Sequence, residues 1–309
     1  MPLYLTEGDV ESLLTPADAL DSIEACFHRM ARGAVENRPR FRHRLEDASF
    51  AVMSATDNEL EKAGIKSYIA SAKGARFVVA LFDTSRTELL AVLDADKLGQ
   101  LRTGAASAVA AKHLAKPDAT TLGVLGCGWQ AESQVACIRE AVPSIERVVA
   151  FCRTEKSLKR FCRKLKAEPG ESHRDPADQD IVVTATTSPD PVLRGEWLRE
   201  GALVCAIGAN VSHHRELDNV VLERAAFVCC DSLENAKLES GDLIEPVEQG
   251  VLDWLDVHEL HEVVGGEISG RASADDVVVF KSNGLAAWDV AIATRAVELA
   301  RERGVGTEL

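Results

Sequence analysis

The feature that most constrains this chain is residues 121–142, TLGVLGCGWQAESQVACIREAV. Its apolar run at 122–125 reads as a buried strand. Beyond Gly126-Cys127-Gly128 the period changes, and Val135, Ile138 and Val142 recur at the spacing of one helix face. The junction reads G-x-G-x-x-A, which suits a bound dinucleotide. Gly126 permits a sharp turn, Gly128 lets backbone approach a pyrophosphate, and Ala131 lets helix and strand pack closely. The helix N-terminus supplies the positive end for the phosphates. A bare glycine pattern is weak evidence, but here the strand before it and the helix after it supply the required context.

What flanks this stretch divides the chain in two. Downstream, strands expected at 147–151, 181–185, 203–208, 227–231 and 277–280 alternate with helical or polar segments, which implies a parallel, doubly wound sheet. Residues 166–180 read as a polar loop. Upstream, 7–33 is helical, with Thr15-Pro16 as N-cap and first-turn proline and Leu20, Ile23, Cys26 and Phe27 on one face. A β-rich region begins at Pro39, with strands at 50–55, 65–70, 77–82 and 89–92 whose short connections imply antiparallel pairing. A strand through 40–44 would set Arg40, Arg42 and Arg44 on one face. An alanine-rich helix at 94–115 leads into the glycine turn. A last helix at 285–303 is expected to return to the N-terminal domain. The expected fold is α/β: a Rossmann nucleotide domain at 116–284, and a discontinuous β-rich α+β domain from 1–115 with 285–309.

At 309 residues the chain exceeds the usual single core, consistent with two domains. A formal charge of -14 argues against nucleic acid or an anionic membrane surface as partner. An anionic substrate is still allowed, because a few local arginines decide that. No apolar run approaches the ~20 residues of a membrane span, and the acidic N-terminus lacks a signal pattern. The eight cysteines form no C-x-x-C and sit mostly in apolar runs, which points to a reducing cytoplasm and no disulfide framework.

Several residues can carry chemistry. An NAD site places Asp or Glu at the end of the second nucleotide-domain strand to hold the ribose 2′-hydroxyl. Here Cys152, Arg153 and Thr154 stand there, and Arg153 and Thr154 suit a 2′-phosphate, so NADP(H) is favoured with NAD(H) possible. Glu155 lies past the usual position, and Arg153 as a mere surface cap is the competing reading. Arg102 sits among small residues, either gripping a carboxylate or snorkelling to the surface. Lys66 lies in a strand, either solvated or as an ammonium that binds a carboxylate or transfers a proton. His258-x-x-His261 with Glu259 and Glu262 has helical metal-ligand spacing, but no other ligand pair joins it; a solvated helix face is the better reading, and no metal is expected. His213-His214 either touches the cofactor or serves its loop. No G-x-S-x-G elbow supports a hydrolase.

With these residues together, the whole chain resembles the ornithine cyclodeaminase/mu-crystallin family. The matching motifs are Leu101-Arg102-Thr103-Gly104-Ala105-Ala106, then Gly126-Cys127-Gly128-Trp129-Gln130-Ala131. Next comes Asp180-Ile181-Val182-Val183-Thr184-Ala185-Thr186. Ala206-Ile207-Gly208-Ala209-Asn210 follows with Glu216-Leu217-Asp218, and Phe280-Lys281-Ser282-Asn283-Gly284 closes the set with Asp289. The resemblance implies a homodimer and hydride exchange between NAD(P) and the α-carbon of a small amino or imino acid. It implies that Arg40, Lys66 and Arg102 grip the substrate carboxylate, with Arg42 a rival to Arg40. Cofactor contacts are implied at Gly128, Trp129, Thr186, Ile207, Gly208 and Ser282, beside Thr103, Gly126 and Gln130 of the same motifs. Asp289 is expected to orient Lys66 or the imine nitrogen. Two departures matter: Asn210 and Ala51 stand where the cyclodeaminases carry acids. Asparagine cannot take a proton as aspartate does, so cyclodeamination is disfavoured and reduction of a preformed cyclic imino acid, by a ketimine reductase, is expected. Rivals are an alanine dehydrogenase-like reaction and a non-catalytic NADPH-dependent binding protein of mu-crystallin type.

Overall fold

The computed structural model describes all 309 residues, beginning with β1 (Leu3–Leu5) and α1 (Glu7–Leu13). Helix α2 (Pro16–Ala31) starts where the Thr15 hydroxyl accepts from the Asp18 N–H while the Asp18 carboxylate accepts from the Thr15 N–H. Pro16 follows in the first turn. A meander follows: β2 (Val35–Arg44), β3 (Ala48–Asp57), β4 (Lys62–Ser71), β5 (Gly74–Asp83) and β6 (Glu88–Asp94), each antiparallel to the last. Helix α3 (Asp96–Leu114) comes next.

The glycine-turn region is β7 (Thr121–Leu125) and α4 (Trp129–Ala141). Then come β8 (Arg147–Phe151), α5 (Glu155–Leu165), β9 (Glu168–Pro169), α6 (Arg174–Ala177), β10 (Ile181–Thr184) and β11 (Leu203–Ala206). The chain continues through α7 (Asn219–Glu223), β12 (Ala225–Cys230), α8 (Leu233–Glu239), α9 (Gly241–Glu248), β13 (Val257–Glu259), α10 (Leu260–Val264) and β14 (Val277–Lys281). It ends with α11 (Ala286–Arg303) and β15 (Thr307–Glu308).

Contacts divide the chain into Met1–Arg102 with Gly284–Leu309, and Thr103–Asn283. The division falls inside α3, and the helix from Thr103 onward is held by second-unit groups. Gln134 Nε2 donates to the Thr103 carbonyl at 3.2 Å, and Arg271 Nε donates to the Leu114 carbonyl at 2.7 Å. A Cβ on Gly104 would meet the Ser133 carbonyl oxygen at 2.5 Å.

In the first unit the sheet order is β15-β1-β6-β5-β4-β3-β2. Helix α11 lies so close to β4 that a Cβ on Gly64 would come 2.7 Å from Val290 Cγ2, and Trp288 packs edge-on against Phe27 at 5.5 Å. The opposite face of the sheet carries exposed Phe41, Phe50, Ile65, Ile69 and Val78. Phe50 pairs with Ile69, and both Val52 and Val78 pair with Ser67, so the period of two gathers these apolar residues on one side.

In the second unit all eight strands are parallel, in the order β13-β12-β14-β11-β10-β7-β8-β9. β10, β11 and β14 are buried along their whole length, as strands covered on both faces must be. Residues 166–180 are no plain loop: they hold β9 and α6, and Pro176 packs so tightly on Gly123 that a Cβ there would sit 1.7 Å from the Pro176 carbonyl oxygen. His258 and His261 do not share a helix face, since His258 lies within β13 and α10 begins only at Leu260. Each lies near a carboxylate, His258 Nδ1 3.5 Å from Glu262 and His261 Nδ1 3.3 Å from Glu259.

Candidate functional site

Three elements of the first unit bring Lys66 (β4), Arg102 (α3) and Asp289 (α11) together. Lys66 Nζ lies 3.0 Å and Arg102 Nε 3.1 Å from the same oxygen, Asp289 Oδ1. All three are buried, and Asp289 Oδ2 is buried with no hydrogen-bond partner. Burial first, then the Arg102 guanidinium, lowers the Lys66 ammonium to about 8, against the opposing pull of Asp289. Two glycines shape the seats. A Cβ on Gly99 would stand 3.1 Å from Lys66 Nζ. Gly284, at φ +86°, faces Arg102 so closely that a Cβ would meet Nη1 at 2.6 Å. Lys66 also lies 5.5 Å from the centre of the Phe77 ring, and Arg102 5.8 Å from that of Trp288.

A register shift between Arg38 and Phe41, at Pro39, sorts the arginines of β2. Arg40 Nε donates to Met53 Sδ at 3.4 Å, Met53 pairs directly with Lys66, and Arg40 adds to the charge that lowers Lys66. Arg42 pairs instead with Ala51, further along the ladder.

In the second unit the other candidate residues gather at the carboxyl ends of parallel strands, where ligands of such sheets bind. Gly126 has φ +109°, and a Cβ there would strike the Ala185 carbonyl oxygen at 2.4 Å, so only glycine makes this turn. Gly128 is the N-cap of α4, without a side-chain capping bond, and a Cβ on it would meet nothing within 4 Å. That leaves bare backbone and the open first turn of a thirteen-residue helix, a fit for a pyrophosphate. Ala131 is fully buried beneath it, while Trp129 is 44% exposed and Gln130 follows in the same turn. Arg153 is exposed after β8, and Thr154 caps α5 without a side-chain bond. Thr186, Ile207, Gly208 and Ser282 follow β10, β11 and β14, and Thr103 opens the second unit's share of α3. His213 and His214 pack on each other at 4.7 Å in the turn after β11.

Ala51 is buried in β3 and Asn210 is exposed after β11, so neither position offers a carboxylate. Sequence reasoning missed Gly99, a helical glycine like any other until Lys66 is placed beside it. It also missed His173, whose ring packs on Phe151 at 4.7 Å and whose imidazole is pushed below its usual range by burial and by Arg153. The sequence carries no signal for either.

The fold is that of a dinucleotide-binding protein with a second unit built on a mainly antiparallel sheet. The model of the ornithine cyclodeaminase/mu-crystallin family matches residues 2–304, and the chain belongs to that family. It is 35% identical to an alanine dehydrogenase of Archaeoglobus fulgidus over 99% of this chain and 98% of that protein. Among solved structures, the Delta(1)-pyrroline-2-carboxylate reductase of Thermococcus litoralis, in complex with NADH and L-proline, matches with a TM-score of 0.94 and 30% identity. It covers 99% of this chain and 100% of its own. An archaeal alanine dehydrogenase dimer with bound NAD matches with a TM-score of 0.94 and 32% identity over 100% and 98%. The chain is an oxidoreductase of this family.

Proposed function

We propose that the chain reduces a small cyclic imino acid, pyrroline-2-carboxylate or piperideine-2-carboxylate, to the amino acid with NADPH. The observation that carries this reading is the buried Lys66–Asp289–Arg102 cluster with its unfilled Asp289 Oδ2. When bound, the reduced nicotinamide supplies a hydride. Arg102, its Nε anchored on Asp289, holds the rest of its guanidinium in a fixed orientation for the substrate carboxylate, and Arg40 adds a second positive charge. Lys66, at about 8, is protonated at neutral pH yet gives up its proton readily, so it donates to the imine nitrogen. Asp289 Oδ2 accepts from the nitrogen as it becomes N–H. Carbon gains the hydride and nitrogen the proton, which completes the amine.

For the dinucleotide, Gly126, Gly128, Trp129 and Gln130 hold the pyrophosphate side, with Thr186, Ile207, Gly208 and Ser282 at the strand ends and Thr103 on α3. Arg153 and Thr154 suit a 2′-phosphate, and Glu155, the next residue, pairs with Lys159 at 2.5 Å. The exposed apolar face of the first sheet supports a homodimer, as does the dimer among the similar structures. Ile65→Lys is expected to yield monomers by light scattering. Eight free thiols, seven of them buried, support a reducing cytoplasm, and no helix is long and apolar enough to cross a membrane.

NADPH oxidation with the two cyclic imines, against pyruvate plus ammonia, tests the reading when repeated with NADH. Cyclic imines with NADPH are expected to give the highest kcat/KM. Faster turnover of pyruvate plus ammonia would replace it with the alanine dehydrogenase reading, which the 35% identity along the whole chain supports.

A further inference from the structure

The Glu216-Leu217-Asp218 motif has no task in the mechanism above. Asp218 is an ordinary cap, accepting from the N–H groups of Val221 and Gly195. Glu216 is different, for it is wholly buried and its carboxylate takes four donors. Oε1 accepts from the Thr186 N–H and hydroxyl, both at 2.7 Å. Oε2 accepts from the Thr184 hydroxyl at 2.8 Å and the Gly208 N–H at 2.6 Å. One side chain thereby ties the end of β10 to the end of β11. A Cβ on Gly208 would collide with Thr186 O at 2.3 Å and Glu216 Oε1 at 2.5 Å, so the two turns are in close contact around it.

The tie is itself anchored. The Glu216 and Leu217 N–H groups donate to Asp242 Oδ1 at 2.6 and 3.0 Å, and Asp242 Oδ2 lies 3.0 Å from Lys281 Nζ. Lys281, at the end of β14, donates to the Ala209 carbonyl at 2.5 Å. Glu216, Asp242 and Lys281 are each 0% exposed. Three adjacent strand ends are thus joined through one chain of buried ions.

We propose that Glu216 is a positioning residue for the dinucleotide: it fixes the spacing of the turns after β10 and β11, with Asp242 and Lys281 holding it in register. The inference rests on the reading that Thr186, Ile207, Gly208 and Ser282 contact the cofactor. The backbone N–H groups of Thr186 and Gly208, one on each oxygen, demand an acceptor on both sides, which a carboxylate offers and an amide does not. In Glu216→Gln the NH2 group must oppose the N–H of Thr186 or of Gly208, whichever way the amide turns.

The test compares wild type, Glu216→Gln and the milder Thr184→Val, which deletes one hydroxyl donor. Binding of NADPH is followed by nicotinamide fluorescence, alongside the KM for imino acid at saturating NADPH and thermal melting. Glu216→Gln is expected to weaken NADPH binding about ten-fold or more, and Thr184→Val about three-fold, with the imino-acid KM unchanged. Unchanged NADPH affinity in Glu216→Gln would overturn the inference while leaving dinucleotide binding intact. Equal loss of affinity for NADPH and imino acid, with a lower Tm, would also overturn it as a merely structural effect. If Glu216→Gln does not fold, Thr184→Val decides, and unchanged affinity there overturns the proposal. A wild type that takes up no NADPH would sink the dinucleotide reading, and this inference with it.

Discussion

Each unit buries a cluster of three charged side chains, and the two clusters have opposite sign. Lys66, Arg102 and Asp289 make two cations around one carboxylate; Glu216, Asp242 and Lys281 make two carboxylates around one cation. Buried charge is costly unless paired and hydrogen-bonded. The second cluster is compensated from within: Glu216 takes four donors, two of them backbone N–H groups, and Lys281 has both an anion and a carbonyl. The first cluster spends one oxygen of Asp289 on both cations and leaves the other without a hydrogen bond; Asp242 Oδ2 also lacks one, but lies 3.0 Å from the Lys281 ammonium. Burial and charge are common to both, so neither separates a ligand site from scaffold. The sign of the surplus charge does: the extra cation and the Asp289 oxygen left without a hydrogen bond suit a ligand bearing an anion and an N–H.

The sharpest way to break this comparison is Lys66→Ala, expected to lower kcat/KM for the imino acid about 10³-fold with NADPH affinity unchanged. A variant with normal kcat/KM would end the assignment of Lys66 as proton donor. In the wild type, the rate of reduction should fall as pH rises through about 8, because the donor is the ammonium. Stability moves the other way. With Lys66 at about 8 in the fold and 10.5 as the reference, the unfolded chain holds more protons across that window. Its contribution to stability therefore grows as pH climbs from 8 toward 10.5. Next in size is Asp289→Asn, which removes the anion that supports the Lys66 charge. A loss of about 10² in kcat/KM is expected, with the alkaline limb of the pH profile moved below that of wild type. An unmoved limb would show that Asp289 does not govern Lys66.

The two units differ also in how much the sequence disclosed. The parallel strands were legible because burial on both faces leaves long apolar runs, and the glycine turn because its φ and close approach tolerate no side chain. Arg102 stood out as a charge among small residues, whereas Lys66 also read as a solvated strand lysine until family likeness gave both an expected task. What joins them is not local: Asp289 lies 223 residues from Lys66 and 187 from Arg102. The register that sets Arg42 opposite Ala51, with Arg40 against Met53, includes a shift near Pro39 that alternation alone cannot show. Helix α6 stayed hidden because one turn is too short for a period, and β13 because three residues are too few to alternate. The Glu216 cluster was invisible as a unit, since its members are ordinary charged residues until the strand ends converge.

Smaller effects separate cofactor from substrate. Arg153→Ser is expected to raise the KM for NADPH about ten-fold and leave that for NADH unchanged, the signature of one lost charge-assisted contact to a 2′-phosphate. Equal KM changes for both would return Arg153 to the surface. The least disruptive change should be Gly99→Ala. The new methyl would stand 3.1 Å from Lys66 Nζ, so the ammonium must give by a few tenths of an ångström. Because proton transfer depends steeply on placement, that shift should cut kcat about three-fold, with NADPH affinity and Tm unchanged. Larger groups at 99 should lower kcat further. A kcat indifferent to alanine there would mean that Lys66 works through a water or a mobile side chain, so the first cluster would be looser than its burial suggests.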